Sequence, residues 1–220
     1  MHLDWYFDVV SPFAYLQMAR FDRLPEGLEI RCRPVLFAGL LNHHGHKGPV
    51  EIESKRLHTY RYSQWFADRH RIPMRFPPTH PFNPLPALRL CIALGNDRET
   101  VRRVFEHIWR DGIGIDGKEG WESLIEGLGA QGSGVEGLTV EKADALISKA
   151  QVKQALHDST EEAIACGVFG VPTFRSGETL FWGEDATDML LDYLAAPDLF
   201  NSPKMQILRD LQASARRKGA

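Results

Sequence analysis

The sequence predicts an α/β fold in which a β-sheet built from both ends of the chain carries a large helical insertion. Three observations lead to this prediction. A strand, a helix and a second strand follow one another within the first 37 residues, a mainly helical block fills residues 42–159, and a strand hairpin with a closing helix comes afterwards. The strands of a βαβ unit are parallel. We therefore expect residues 1–41 and 160–220 to form one discontinuous domain and residues 42–159 to form an inserted domain.

The composition excludes several function classes. The chain has 220 residues, with 26 Lys and Arg against 29 Asp and Glu, and a formal net charge of −3. A general nucleic-acid-binding domain normally carries a basic surface, so this balance argues against a nucleic-acid partner. No apolar run approaches the roughly 18 residues of a membrane span, and the first residues lack the features of a secretory signal. We therefore expect a cytoplasmic protein with no membrane partner.

Cysteine and histidine spacing predicts neither a disulfide framework nor a metal site. The three cysteines form no C-x-x-C pair. Three histidines lie close together in a loop, but no carboxylate or cysteine near them has the spacing of a ligand, so we expect no metal. The residues concerned are Cys32, Cys91, Cys166, His43, His44 and His46.

The first strand, residues 3–10, is short, aromatic and β-branched, as buried strands are. Ser11 and Pro12 follow at once and predict the start of a helix, because Ser is a preferred N-cap and Pro is favoured at the first helical position. Residues 24–27 end this helix, and residues 28–37 read as the second strand.

The middle of the chain is predicted to be helical. A helix over residues 53–71 is expected to bury Leu57, Tyr60, Trp65 and Phe66. Six prolines between residues 73 and 86 then exclude regular helix. Further helices are expected over residues 87–94, 100–109, 121–128 and 140–167.

The last part of the chain returns to strand patterns. Residues 170–174 and 179–182 flank a polar turn that contains glycine, which predicts an antiparallel hairpin. A helix over residues 185–194 closes the unit, and further helix is expected over residues 204–216.

Ser11 is the candidate functional residue of the first strand-to-helix junction. Unpaired N–H groups and the helix dipole favour an anion at such a junction. A serine hydroxyl does not ionise easily, but it can donate a hydrogen bond to a thiolate that arrives on a ligand. The alternative interpretation is that Ser11 only caps the helix.

Three segments together carry a family resemblance. Residues 6–15 (YFDVVSPFAY), 169–174 (FGVPTF) and 180–185 (LFWGED) resemble 2-hydroxychromene-2-carboxylate isomerases, which are relatives of kappa-class glutathione transferases. The resemblance covers residues 3–194 and implies a thioredoxin-like fold of the DsbA type with a large helical insertion. In that fold a C-x-x-C pair faces a cis-proline. Here Ser11 and Ala14 replace the two cysteines, which excludes a dithiol–disulfide cycle at this site.

The resemblance implies a glutathione site. Ser11 would hydrogen-bond the glutathione sulfur, and the Val171 backbone, before a cis Pro172, would pair with the glutathione main chain as a sheet edge does. An acidic pair would lie near the γ-glutamyl group, and two aromatic residues would form walls, although core packing is the alternative for both. These last four residues are Glu184, Asp185, Phe169 and Trp182.

Three further residues resemble family positions near the ligands. Lys55 resembles a lysine that binds a ligand carboxylate, although a lysine near a helix start is often merely exposed. His46 falls near the position of a family asparagine, which leaves the identity of the substrate open. Asn83 resembles a position near the substrate pocket, or it organises a turn.

The implied function is a glutathione-dependent isomerase of hydroxychromene-carboxylate-like intermediates in aromatic catabolism, and the implied assembly is a homodimer. Two alternatives stay open from the sequence. A kappa-like glutathione transferase would have the same site around Ser11, and a non-catalytic thioredoxin-fold binding module would also lack both cysteines. Cys166 precedes Pro172 closely, but we interpret it as a small buried residue near a helix end.

Overall fold

A four-stranded mixed sheet forms the centre of the protein, seen in a computed structural model that describes residues 2–130 and 135–214. Its strands are β1 (His2–Phe7), β2 (Glu29–Pro34), β3 (Thr173–Ser176) and β4 (Thr179–Trp182), in the order β2-β1-β3-β4. β1 and β2 are parallel, and the β1–β3 and β3–β4 pairs are antiparallel. The predicted βαβ unit and the predicted hairpin are confirmed, but β3 begins at residue 173 instead of 170 and continues to Ser176, so the turn has two residues instead of four.

Helices follow β1, β2 and β4 and fill the long connection between β2 and β3. α1 follows β1 directly, and α9 follows β4 after a short 3₁₀ turn. α5 continues into a π-helical turn over Glu106–Arg110. The helices are α1 (Pro12–Met18), α2 (Phe37–His43), α3 (Glu53–His70), α4 (Leu85–Ala93), α5 (Arg98–Phe105), α6 (Lys118–Gly129), α7 (Val140–Ser148), α8 (Ala150–Ala165), α9 (Thr187–Ala195) and α10 (Pro203–Gln206).

The second strand ends earlier than predicted. The Leu36 N–H donates to the Thr160 hydroxyl at 3.0 Å and the Phe37 N–H donates to the Asp8 carboxylate at 2.9 Å. These side-chain acceptors draw the chain out of the sheet, so Phe37 begins α2 instead of ending a strand. The predicted helix over residues 140–167 is likewise two helices, because Lys149 has extended backbone angles between them.

The buried face of α3 differs from the predicted one. Phe66 is buried and Tyr60 is partly buried, but Leu57 and Trp65 are 49% and 54% exposed. The expectation for these two residues was wrong, because small residues at helical spacing form the contact face of α3 instead. Its buried residues are Thr59, Ser63, Phe66 and Ala67.

Two expectations concern the limits of the domains and the last helix. The proposed division at residues 159 and 160 falls inside α8, which runs without interruption, and the division into two domains stays a prediction. The helix expected over residues 204–216 is α10 followed by a 3₁₀ turn over Ile207–Asp210, with no helix over residues 211–214. Its final two residues lie outside the described part of the chain.

An aromatic core joins the sheet to the helices. Trp5 of β1 stacks on Phe7 with ring centroids 4.7 Å apart, and both rings contact Phe105 of α5. One buried amide, Gln17 of α1, accepts from the Trp5 indole N–H at 2.8 Å and donates to the Gly183 carbonyl at 2.9 Å. Because its polar groups are paired, Gln17 fixes α1 against both β1 and the segment after β4. In the ranges that the structure describes, no helix has the length and apolarity to cross a membrane.

Candidate functional site

Ser11 lies between β1 and α1 with a hydroxyl that is only partly engaged. Its Oγ accepts the Ala14 N–H at 3.3 Å, which makes Ser11 the N-cap of α1 as predicted. Within residues 2–130 and 135–214, the Ser11 hydroxyl donates no hydrogen bond. It can therefore cap the helix and still offer its own proton to a ligand. α1 has only seven residues, so its dipole is small. The Ser11 hydroxyl is therefore the more important group for stabilising an anion at this helix start.

Asp8 anchors the turn that leads to Ser11. Its side chain is fully buried and accepts the N–H groups of Val10 at 3.0 Å and Phe37 at 2.9 Å, while its carbonyl accepts the Ser11 N–H at 3.0 Å. Burial raises the pKa of Asp8 to about 7, although the two N–H bonds oppose the rise. Asp8 was not predicted from the sequence as a residue of the site, and the signal that could have found it is an acidic side chain within an apolar strand.

Two residues of the helical block hold the same turn from the other side. The Trp109 indole N–H donates to the Val9 carbonyl at 2.9 Å, and His80 Nε2 lies 2.8 Å from the Val10 carbonyl. Both side chains were missed, because their distance from Ser11 in the sequence is large and only the fold brings them together. The insertion thus contributes directly to the shape of the Ser11 turn.

Val171, which is 7% exposed, has backbone groups that the sheet leaves unpaired. The Val171–Pro172 peptide bond is cis, as expected. The Pro172 carbonyl accepts the Gly183 N–H at 2.8 Å, and regular strand pairing begins only at Thr173. In the part of the chain that the structure describes, the N–H and C=O of Val171 have no hydrogen-bond partner. An extended peptide can pair with such groups as an added strand does.

Phe169 and Trp182 form an aromatic pair on the surface. They are 40% and 53% exposed, and their ring centroids are 5.0 Å apart in an edge-to-face arrangement. Core packing was the alternative interpretation for both, and this exposure contradicts it. Trp182 also lies against Gly170, next to Val171, so the pair stands beside the open backbone.

The two acidic residues after β4 have different surroundings. Glu184 is buried and paired with Arg20, and burial raises the pKa of its carboxyl more than the arginine lowers it. Its charge is therefore engaged inside the protein. Asp185 is exposed, and its carboxylate is folded over Gly183, whose φ of +91° and missing Cβ leave room for it. Of the pair, only Asp185 offers a carboxylate to a ligand.

Three of the expected ligand residues lie outside these contacts. His46 is exposed, and its ring contacts the ring of His44. Lys55 is exposed on the first turn of α3. Asn83 accepts the Leu85 N–H at 3.1 Å at the start of α4, which is a turn-organising contact. Among the described residues, no group of three metal-binding side chains surrounds a common point.

A groove of about 700 Å³ opens beside the first two turns of α3. Tyr60, one of its lining residues, contacts His80, which in turn contacts Val10 beside Ser11. The positive charge of Arg56 partly offsets the rise that burial gives to the pKa of Tyr60, so the guanidinium lies near the phenol. The lining residues are Ile52, Glu53, Ser54, Arg56, Leu57 and Tyr60.

Comparisons with known proteins agree with this fold. The family described as DSBA-like thioredoxin domain matches residues 2–195. A 2-hydroxychromene-2-carboxylate isomerase of Pseudomonas sp. (strain C18) is 29% identical over 86% of this chain and 87% of its own length. The kappa 2 glutathione S-transferase of Caenorhabditis elegans is 26% identical over 88% of this chain and 91% of its own.

A solved structure extends the comparison to three dimensions. The structure of a 2-hydroxychromene-2-carboxylate isomerase covers 97% of this chain and 100% of its own, with a TM-score of 0.74 and 25% identity. The family resemblance in the three sequence segments is thereby confirmed, as is the DsbA-type thioredoxin fold with its helical insertion. The chain belongs to the family of DSBA-like thioredoxin domains, and within it resembles 2-hydroxychromene-2-carboxylate isomerases and kappa-class glutathione transferases.

Proposed function

We propose that this protein is an enzyme that binds glutathione at Ser11 and isomerises a conjugated aromatic-derived carboxylate. The observation that carries the proposal is the Ser11 hydroxyl, which accepts the Ala14 N–H and keeps its own proton for an incoming acceptor. The relatives named above are isomerases and glutathione transferases. Their names support an enzyme that uses the thiol of glutathione.

The residues that we assign to the site with Ser11 fit glutathione. The free N–H and C=O of Val171 suit the cysteinyl main chain of an extended tripeptide. The exposed carboxylate of Asp185 suits the γ-glutamyl ammonium group, since a charge-assisted hydrogen bond is the strong kind. Phe169 and Trp182 provide an apolar wall beside this backbone. Lys55 and His46 are further candidates, and both are exposed near the ends of α3 and α2.

When bound, glutathione would supply a thiolate that adds to a conjugated carbon and leaves it again after rotation about the bond. The protein's own contribution is positional and electrostatic. Ser11 donates its proton toward the sulfur and favours the ionised form, because a hydrogen bond to the charged form lowers a pKa. The groove beside α3 holds the acceptor: its apolar walls suit a ring, and Arg56 suits a carboxylate. Asn83 is a further candidate for substrate contact.

Titration with reduced glutathione tests the proposal. Thermal shift and calorimetry on the wild type, Ser11→Ala and the exposed-site control Ser123→Ala should show saturable binding to the wild type and the control. A hundredfold excess over Kd stabilises a folded protein by about 2.7 kcal/mol. The thiolate absorbance of the bound ligand should be lost in Ser11→Ala. Absence of binding to the wild type would refute the proposal and favour a binding module without catalysis.

Product analysis separates the two enzymatic alternatives. An isomerase releases glutathione unchanged, whereas a transferase leaves it attached to the product. We expect a hydroxychromene-type carboxylate to be isomerised without consumption of thiol, and a stable adduct at high turnover would instead identify a transferase. We also propose a cytoplasmic homodimer, as the resemblance implies, and light scattering on the purified protein measures its mass.

A further inference from the structure

His80 is surrounded by aromatic side chains next to the Ser11 turn. Its imidazole packs against Tyr60, Phe76, Phe82 and Trp109, with ring centroids 5.3, 6.4, 6.1 and 5.4 Å away. These rings come from α3, from the proline-rich segment after it and from the π-helical turn. The imidazole is therefore held on several sides and has little freedom to rotate.

The hydrogen bonds of His80 define which ring nitrogen carries the proton. Nε2 lies 2.8 Å from the Val10 carbonyl, and a carbonyl oxygen only accepts, so Nε2 is the donor. Burial lowers the pKa of His80, which favours the neutral imidazole. Nδ1 is then an acceptor, and the Tyr60 hydroxyl lies 2.9 Å from it and 2.8 Å from the His80 carbonyl. The single Tyr60 proton serves these two acceptors.

We propose that His80 is a positioning residue for Ser11, and this proposal rests on the proposed function. By donating to the Val10 carbonyl, His80 fixes the peptide group that joins Val10 to Ser11. The same turn is held by Asp8 and by Trp109. His80 thereby sets the direction in which the Ser11 hydroxyl presents its proton.

The loss of His80 should lower the reaction rate, because catalysis is sensitive to small displacements of a reacting group. A shift of about 1 Å at a reacting group can lower the rate about a hundredfold. Loss of the His80 donor leaves the partly buried Val10 carbonyl without this partner, and the peptide group next to Ser11 is then held only through the Ser11 N–H, which donates to the Asp8 carbonyl. Tyr60, which lines the groove beside α3, supports the imidazole from the opposite side, so one chain of hydrogen bonds joins the groove to the Val10 carbonyl next to Ser11.

Two substitutions of His80 distinguish the role of its N–H donor from the role of its ring in packing. In His80→Gln the side-chain amide keeps an N–H donor near the position of Nε2, whereas His80→Phe keeps a ring for the aromatic surround and has no donor. We expect His80→Phe to lower kcat by about 10- to 100-fold. It should also raise the thiol pKa of bound glutathione, with a change in glutathione Kd below about threefold because Val171 and Asp185 are untouched. His80→Gln should stay within about threefold of the wild type in kcat.

The outcomes distinguish this proposal from the proposed function. A folded His80→Phe protein with the kcat and bound-thiol pKa of the wild type would overturn the positioning role. If the wild type binds no glutathione, amide exchange of the free protein decides instead. His80→Phe should then exchange faster than His80→Gln over residues 8–14, with no change in α6 as the internal control. Equal exchange in the two variants would also overturn the proposal.

Discussion

The indole of Trp182 lies directly against the backbone of Gly170. A Cβ atom on Gly170 would come within 2.5 Å of the Trp182 Nε1 and 3.2 Å of two further indole carbons. The exposed position of Trp182 thus depends on the absence of a side chain at Gly170. This contact orients the aromatic pair of Trp182 and Phe169 beside Val171.

Gly170→Ala should weaken glutathione binding more than it weakens the fold. The methyl group displaces an indole that is half exposed and has room to swing outward, so we expect a loss of stability of about 1 kcal/mol. The wall beside Val171 is lost with it, and calorimetry should show a severalfold rise in glutathione Kd. Gly127→Ala is the matched control, because a Cβ on this exposed helical glycine meets nothing within 4 Å. Equal Kd values for both variants and the wild type would contradict the role of the wall.

The contribution of Asp8 to the stability of the protein should fall as the pH rises from about 4 to about 7. Asp8 has a pKa raised by burial from 3.8 to about 7, so in this window the folded state holds a proton that the unfolded state has released. The unfolded state therefore becomes more favourable with rising pH, by on the order of 4 kcal/mol across the window. Denaturant titrations at several pH values measure this slope.

Asp8→Asn should flatten that slope. Asparagine does not titrate, so the difference between wild type and variant should change with pH while the contributions of other groups cancel. The variant also loses one acceptor, because its amide nitrogen cannot accept the N–H of Val10 or Phe37. It should therefore be less stable than the wild type at pH 4. Parallel stability profiles would show that Asp8 does not carry the raised pKa.

Substitutions of the neighbouring acids Glu184 and Asp185 should have different effects, on stability for Glu184 and on glutathione binding for Asp185. Glu184→Gln removes the charge that pairs with Arg20 and should cost about 1–3 kcal/mol of unfolding free energy, with glutathione affinity little changed. Asp185→Asn should leave stability unchanged and raise the glutathione Kd about tenfold, as the loss of one charge-assisted hydrogen bond does. Denaturation and calorimetry on both variants provide the comparison. The reverse pattern would assign the γ-glutamyl contact to Glu184.

Arg56, which lines the groove, should bind the acceptor carboxylate more strongly than its neighbour Lys55 does. Arg56→Gln should raise KM for a carboxylate-bearing acceptor about tenfold and leave KM for a neutral acceptor unchanged. Lys55→Gln removes an equal charge one residue away, outside the groove lining, and is the matched control. A larger effect of Lys55→Gln on the carboxylate acceptor would assign this contact to Lys55 instead.

Local patterns in the sequence predicted the sheet and the Ser11 junction well. Ser11 and Pro12 define a helix start through short-range capping, and the glycine-containing turn after β3 defines a hairpin, so neither depends on distant residues. The buried side of α3 was predicted poorly, since the large apolar residues Leu57 and Trp65 are exposed and Thr59 is buried. The choice of a contact face on a helix depends on its neighbours in the fold, which periodicity alone does not reveal.

The residues that hold the Ser11 turn in place could not be predicted from local sequence patterns, for the same reason. His80 and Trp109 act on Val9 and Val10 across a long stretch of chain, and nothing in their own segments indicates that contact. The family resemblance favoured Asp185 over Glu184 for the γ-glutamyl amino group, but the sequence offered no physical reason for that preference. Only the Arg20 partner, which belongs to a distant segment, distinguishes a structural acid from an available one.

The central position of β1 has a consequence for how the chain acquires its site during synthesis. β1 pairs on one side with β2, which follows soon after it, and on the other side with β3, where Trp5 lies opposite Phe174. The ribosome therefore releases Ser11 long before it releases Val171. Contacts between segments so far apart in the chain form slowly, because a long loop must close first. A nascent chain that stops before β3 therefore holds Ser11 without Val171, although the proposed glutathione site needs both residues.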